Sequence, residues 1–239
     1  MCTAVFRIAP GEAWPLLLAA NRDERLDRAW DAPGPWWPDR PGTVAGRDRL
    51  GGGTWMAMRA GIVAAVLNRV GSLGPAAGKR SRGELPLWAV AETSAEAAAG
   101  RFAGFAASEW RSFNLVVADR ESAWFVRGLG HGRPDIRRLE PGVHMLTAHD
   151  PDDRTSPRVA RHLPRFVASP APSPPDWRHW PHLLADRAGP AGAAINVGEV
   201  DGFGTVCSSL AGIPAEGAST WLFAAGPPDQ AAFLPVALP

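Results

Sequence analysis

An α+β fold built on antiparallel sheet is predicted for this chain by three observations. Short apolar runs come in pairs across tight turns, those hairpins are grouped before and after helical stretches instead of alternating with them singly, and no internal repeat breaks the chain up. At 239 residues the chain is long enough to bury a substantial core, and the expectation is a single domain over residues 1–239.

The elements follow in order. Thr3 to Ile8 and Leu16 to Ala20 read as two strands joined across Pro10-Gly11-Glu12, the second running straight into Asn21-Arg22-Asp23-Glu24. Leu26 to Arg49, rich in Trp, Pro, Asp and Arg without a sustained period, reads as an irregular excursion long enough to line a site. Thr54 to Arg59 and Ile62 to Asn68 form the clearest hairpin across Ala60-Gly61, and the apolar second arm should be central in its sheet. Ser81-Arg82-Gly83-Glu84 fits a capping box opening a helix to about Ala99. Phe113 to Ala118 and Ala123 to Arg127 make a second hairpin, and Val143 to Ala148 is a further strand. Ser156-Pro157-Arg158 opens a helix through Phe166 whose end Pro164 should disturb. Ser169 to Pro175 is a Pro-rich linker, Trp177 to Ala188 a helical pattern, and Ala193 to Val197, Gly204 to Ser209 and Trp221 to Ala225 are strands and turns. With 24 prolines and 26 glycines, both residues mark loops less sharply here than usual.

Composition narrows the function. Lys and Arg total 25 against 24 Asp and Glu, which supplies no broad field for nucleic acid or an anionic membrane. A small-molecule substrate or hydrophobic ligand is the expected partner; the oligomeric state is left open. The apolar stretches fall far below the ~20 residues of a membrane helix, and the start Met1-Cys2-Thr3-Ala4-Val5-Phe6 is unlike a secretion signal. A cytoplasmic protein without a membrane span is expected. Two cysteines, Cys2 and Cys207, make no disulfide framework.

Cys2 is the most informative position. Removal of Met1 would leave a thiol beside its own α-amine, joining nucleophile and base in one residue. The amine titrates near ~8 and an unperturbed thiol near ~8.5, so modest tuning yields a thiolate. Taken alone, a Cys at this position is also an ordinary apolar strand residue. A second strand antiparallel to the first returns Asn21-Arg22-Asp23-Glu24 towards the chain's beginning. There Arg22 would favour the thiolate and Asp23 would accept from the ammonium; the competing reading is a solvated turn with surface ion pairs. Asn68, at the end of an apolar strand, is either an amide donor to an oxyanion or a simple turn residue.

Other groupings are weaker. His144 and His149, or His179 and His182, fall short of a zinc set, and no metal or cofactor is expected. Gly51-Gly52-Gly53 and Gly128-Leu129-Gly130-His131-Gly132 open no helix after a strand and read as turns. Trp36-Trp37 and the Trp177/Trp180 pair would suit a planar ligand, but core packing explains them.

Met1-Cys2, Asn21-Arg22-Asp23-Glu24, Ala45-Gly46-Arg47-Asp48, Gly52-Gly53-Thr54-Trp55, Leu67-Asn68-Arg69, Ser81-Arg82-Gly83, Phe113-Asn114-Leu115 and Gly204-Thr205 occur in one order along essentially the whole chain. In this set the chain resembles the transport and Golgi organisation family, whose bacterial members are called NRDE proteins. The resemblance implies a four-layer αββα sandwich with antiparallel sheets, of N-terminal-nucleophile hydrolase type. It further implies an amidohydrolase or acyltransferase acting on a linear amide or thioester, with Cys2 as nucleophile, Arg22 and Asp23 as its electrostatic partners, and Asn68 and Asn114 as oxyanion donors. One departure stands out: Val206 follows Gly204-Thr205 where many members of the family carry Arg. Either Arg22 or Arg47 then supplies the charge, or the chain is a non-catalytic binder or carrier of haem or an acyl-coenzyme A-like ligand, the two matters to which eukaryotic relatives are linked.

Overall fold

The computed structural model describes residues 2–239, so Met1, whose removal the sequence reading invokes, lies outside the described residues. In chain order come β1 (Thr3–Ile8), β2 (Leu16–Arg25), β3 (Trp30–Gly34), β4 (Val44–Asp48), β5 (Met56–Arg59), β6 (Ile62–Asn68), α1 (Glu84–Ala89) and α2 (Ala95–Phe102). They are followed by β7 (Phe113–Ala118), β8 (Ala123–Gly128), β9 (Asp135–Leu139), β10 (Gly142–Leu146), α3 (Pro157–Ala168), α4 (Trp180–Leu184), β11 (Phe203–Ile213), β12 (Thr220–Ala224) and β13 (Leu234–Pro235). This is an α+β fold of two antiparallel sheets with few helices, divided into two compact units: Met1–Arg28 with Pro141–Ala237, and Ala29–Glu140 with Leu238–Pro239.

The first unit holds a six-stranded sheet in the order β10-β1-β2-β11-β12-β13. Strand alternation puts Val5, Leu17, Ala19, Met145 and Leu210 on one face, where they pack with Val159, Leu163 and Phe166 of α3 and Trp180, Leu183 and Leu184 of α4. The apolar stripe of α3 explains why Pro164 lies inside the helix instead of ending it. Packing of that stripe outweighs the backbone hydrogen bond lost to proline. α4 is only the core of the longer helical pattern expected over Trp177 to Ala188, and of the segments expected as strands and turns Ala193 to Val197 is turn and bend.

The second unit holds a seven-stranded sheet in the order β3-β4-β5-β6-β7-β8-β9, with β6 central as its apolar run predicts. Ala60 (φ 47°) and Gly61 (φ 76°) take the left-handed conformations of a two-residue hairpin turn between β5 and β6. Ala57, Ala64, Leu115, Val117 and Val126 pack with Leu85, Leu87, Ala98 and Phe102 from α1 and α2. The expected irregular stretch over Leu26 to Arg49 contains β3 and β4, whose pairing shifts register between Asp31 and Gly34. β9, unforeseen, is an edge strand whose Asp135, Arg137 and Arg138 face solvent, as charged edges do.

The capping box does not form. Gly83 caps α1 with no side-chain bond, while Glu84 pairs with Arg80 at 2.6 Å. The cause is a backbone contact: a Cβ on Gly53 would lie 2.5 Å from the Gly83 carbonyl carbon, and Thr54 N donates to Gly83 O at 2.9 Å. The helix expected to run to Ala99 is also broken in two, because Ser94 caps α2 afresh by accepting from Ala97 N at 3.0 Å.

Candidate functional site

β2 does not end at Ala20. It carries Asn21 to Arg25 as strand, paired with β11 from Phe203 to Ile213, and the chain's first polar cluster is built on this extension. Thr3 pairs with Asn21 and Asn21 with Ser208, so these three share a face. The next residue of each strand, Cys2, Arg22 and Cys207, belongs to the opposite face. A row of thiol, guanidinium and thiol therefore crosses three strands, with Arg22 paired to Cys207.

Arg22 is buried, at 6% exposed, and its Nη2 lies 3.7 Å from Glu24 Oε2 two residues along the same face. The half-buried Cys2 thiol donates to Asp23 O at 3.5 Å. Burial raises the Cys2 pKa, the Asp23 charge adds to the rise, and Arg22 opposes it. Burial pushes the Cys207 thiol up to about 12, again against Arg22. Both cysteines are free.

On the other face the polar groups are tied off. Asn21 Nδ2 donates to Leu184 O and Ile195 O, both at 2.9 Å, and its Oδ1 accepts from Ser208 Oγ at 2.7 Å. The Asp23 side chain is fully buried, and its Oδ2 takes an ion pair from Arg158 Nη1 at 3.0 Å. Its Oδ1 accepts from Thr205 Oγ1 at 2.7 Å. Arg158 Nη1 also donates to Thr3 Oγ1 at 2.8 Å, and Val197 N donates to Thr205 Oγ1 at 2.8 Å. The Asn21 to Glu24 segment is thus not a solvated turn. Only the backbone carbonyl of Asp23 reaches the thiol, while its carboxylate turns towards α3.

Val206 occupies the β-bulge between Thr205 and Cys207 and is buried. Of the two arginines that the sequence offered for the charge missing at Val206, Arg22 stands in the row with Cys2; the buried ion pair of Asp23 is made by a third arginine. Arg47 lies in the second unit, bound to Asp31 at 2.6 Å, and Arg158, in the first turn of α3, is the partner. The sequence flagged Ser156-Pro157-Arg158 only as a helix start. Thr205 was legible as half of the Gly204-Thr205 pair, but nothing local marks Arg158 as buried.

Asn68 and Asn114 lie in the second unit on neighbouring strands. Leu67 pairs with Asn114 and Asn68 with Phe113, so the two amides project from opposite faces of the sheet. Asn114 is fully buried and its Oδ1 accepts from Arg69 Nη1 at 2.6 Å; Asn68 is half-buried at the end of β6.

The histidines do have acidic neighbours: His144 Nδ1 is 2.6 Å from Asp152 Oδ2 and His149 Nδ1 is 3.6 Å from Asp153 Oδ2. Among the described residues no group of three or more His, Cys, Asp or Glu is placed to hold a metal ion. No helix among them is long and apolar enough to cross a membrane. Trp177 and Trp180 are buried in the first unit's core.

A family model described as Transport and Golgi organisation 2 matches residues 1–169. None of the curated proteins matches. Among solved structures, the chain is similar to a Caenorhabditis elegans N-acylethanolamine-hydrolyzing acid amidase (NAAA) ortholog, with a TM-score of 0.56 and 12% identity over 87% of this chain and 92% of that one. At that identity the likeness shows the fold, which is that of the N-terminal-nucleophile hydrolases.

Proposed function

The chain belongs to the Transport and Golgi organisation 2 family, and from that footing we propose that it is a cysteine N-terminal-nucleophile hydrolase or acyltransferase acting on a linear amide or thioester. The observation that carries the reading is the row of Cys2, Arg22 and Cys207, just before β1, towards the end of β2 and on β11, with the Cys2 sulfur 3.5 Å from the Asp23 carbonyl oxygen. The acid amidase with the similar fold is named for hydrolysing N-acylethanolamines, which supports an amide as the substrate class here.

Once Met1 is removed, the α-amine of Cys2 takes the thiol proton and Arg22 stabilises the resulting thiolate. Sulfur attacks the carbonyl carbon, the carbon-nitrogen bond breaks, and the amine passes its proton to the leaving nitrogen. Water, deprotonated by the same amine, then attacks the thioester to release a carboxylic acid and restore the thiol. In acyl transfer another nucleophile replaces water. Arg158 and Thr205 hold Asp23 from behind the strand and act as positioning residues. Asn68 and Asn114 are proposed as amide donors to the oxyanion. Because they project from opposite faces of one sheet, a single oxyanion can be served by one of them only, so Ala at that one should lower turnover and Ala at the other should not.

Intact mass and active-site labelling test the proposal. The protein from its own host should lack Met1, and an electrophilic amide probe should label it once, with labelling lost in Cys2→Ala. Retention of Met1, or equal labelling of Cys2→Ala, removes the catalytic reading. A second reading, a non-catalytic carrier of haem or an acyl-coenzyme A-like ligand, draws support from Val206 at the bulge and from burial that favours protonated thiols at Cys2 and Cys207. A Soret shift on adding haem, unchanged in Cys2→Ala, would favour carriage; no binding at micromolar haem would remove haem as the cargo.

A further inference from the structure

In the first unit a cavity of about 260 Å³ is lined by Thr147, Ser156, Arg158, Gly192, Ala194 and Val197, a space equal to the liquid volume of roughly nine water molecules. It lies on the α3 side of the sheet, the face opposite to that of Cys2, Arg22 and Cys207. We propose that it binds a short-chain monocarboxylate, with the carboxylate at Ser156 and Arg158 and the alkyl chain against Ala194 and Val197. This is independent of the catalytic reading of Cys2.

Three observations converge on an anionic head group. Ser156 is the N-cap of the 12-residue α3, yet its side chain makes no capping bond. The residue is only 5% exposed and lines the cavity, where its hydroxyl is accessible to a ligand. Arg158, 7% exposed, brings a guanidinium to the same wall while its Nη1 serves Thr3 and Asp23. The positive end of the α3 dipole lies at the same place.

The remaining wall sets the class of ligand. Among the described residues no second cation and no acid lines the cavity, and the guanidinium there is already shared with Asp23, so a single negative charge suits it better than a phosphate dianion. Ala194 and Val197 offer methyl groups, which suit an alkyl chain. Thr147 Oγ1, accepting from His149 N at 3.4 Å, supplies a further polar edge.

Calorimetric titration of the full chain with acetate, butyrate, hexanoate and neutral butyramide tests the assignment. Butyrate is expected to bind saturably and more tightly than acetate, with butyramide at least tenfold weaker. Ser156→Ala should weaken butyrate at least about tenfold, the effect of one hydrogen bond to a charged group. Ala194→Leu, which fills the space without removing a polar group, should abolish binding in a variant shown to be folded by circular dichroism. The proposal is overturned if the parent shows no saturable butyrate binding, if butyramide binds equally, or if Ser156→Ala or folded Ala194→Leu binds like the parent.

Discussion

Arg158→Leu is the substitution with the largest consequence that the structure lets one work out. The Asp23 side chain is fully buried and its ion pair with Arg158 spans 3.0 Å. The Thr205 hydroxyl, which donates to Asp23 Oδ1 at 2.7 Å, is neutral and does not replace the lost charge. Removing one partner of a buried pair costs about 3–5 kcal/mol, because a desolvated charge is stranded. Each 1.4 kcal/mol is a factor of ten, so the unfolding equilibrium should shift by two to three and a half orders of magnitude. That consumes a large part of the ~5–15 kcal/mol available to a typical protein. Asp23→Asn alone removes the carboxylate opposite the buried arginine instead and should cost a similar amount. The double variant Asp23→Asn/Arg158→Leu removes both charges and should fall at least about 2 kcal/mol short of the sum of the singles. Urea unfolding followed by circular dichroism, with unchanged slopes, measures all three. A single-variant cost below about 1 kcal/mol, or strict additivity in the double, would refute the claim that this pair is a coupled, desolvated unit.

Three further outcomes follow from neighbouring features. Burial lowers the His162 pKa from 6.5 to about 4, with the Ala193 carbonyl opposing and Arg165 reinforcing the fall. The unfolded chain therefore binds the proton first, so the stabilisation is complete above about pH 6.5 and is lost as pH falls towards 4, by at most about 3 kcal/mol. His162→Gln should flatten that part of the stability-pH curve, and an unaltered curve would count against the assignment. In Gly83→Ala the new Cβ would meet Thr54 N at 2.8 Å and Gly53 Cα at 2.9 Å, so a loss of about 1–3 kcal/mol is expected in urea, and an unchanged midpoint would show that the two backbones separate freely. Cys2 and Cys207 flank β2 from its two sides, about 10 Å apart by strand spacing, beyond the ~7 Å limit for a disulfide. Native protein under mild oxidation should keep both thiols, and a Cys2–Cys207 crosslink in its peptide map would contradict this row.

The sequence made the strands more legible than the site. β1 was read to the residue and β6 was placed as central, because apolar runs and the Ala60-Gly61 turn are local signals. β2 was cut short at Ala20 because Asn21, Arg22 and Asp23 look like a surface turn. They are buried, at 1%, 6% and 3% exposed, and the partners of Asn21 and Asp23 are Leu184, Ile195, Thr205, Ser208 and Arg158, all more than a hundred residues away. Arg158 itself sits in a helix's first turn, where the dipole disfavours a cation, and only the distant Asp23 accounts for its burial. The helix over Ser81 to Ala99 failed for a similar reason. Glu84 is taken by Arg80, the Ser81 hydroxyl accepts from Gly83 N instead of from Glu84 N, and Gly83 is held against Gly53 by a contact that spacing along the chain does not reveal.

The four residues Asn21 to Glu24 read as one motif along the chain, but strand alternation divides them into two sets. Asn21 and Asp23 face α3 and α4. Asn21 has both kinds of side-chain group engaged, joining β2 to α4, to the segment at Ile195 and to β11, so no donor or acceptor role in chemistry is needed to explain it. Asp23 is fixed by Arg158 and Thr205 and touches the thiol only through its carbonyl. Arg22, with Glu24 beside it, faces the opposite way between the two cysteines. Loss of Asn21 or Asp23 should therefore act first through stability, whereas loss of Arg22 should act first on the reactivity of Cys2. The physical root of the difference is the two-residue period of the strand, which sends neighbouring side chains of one short motif to opposite faces.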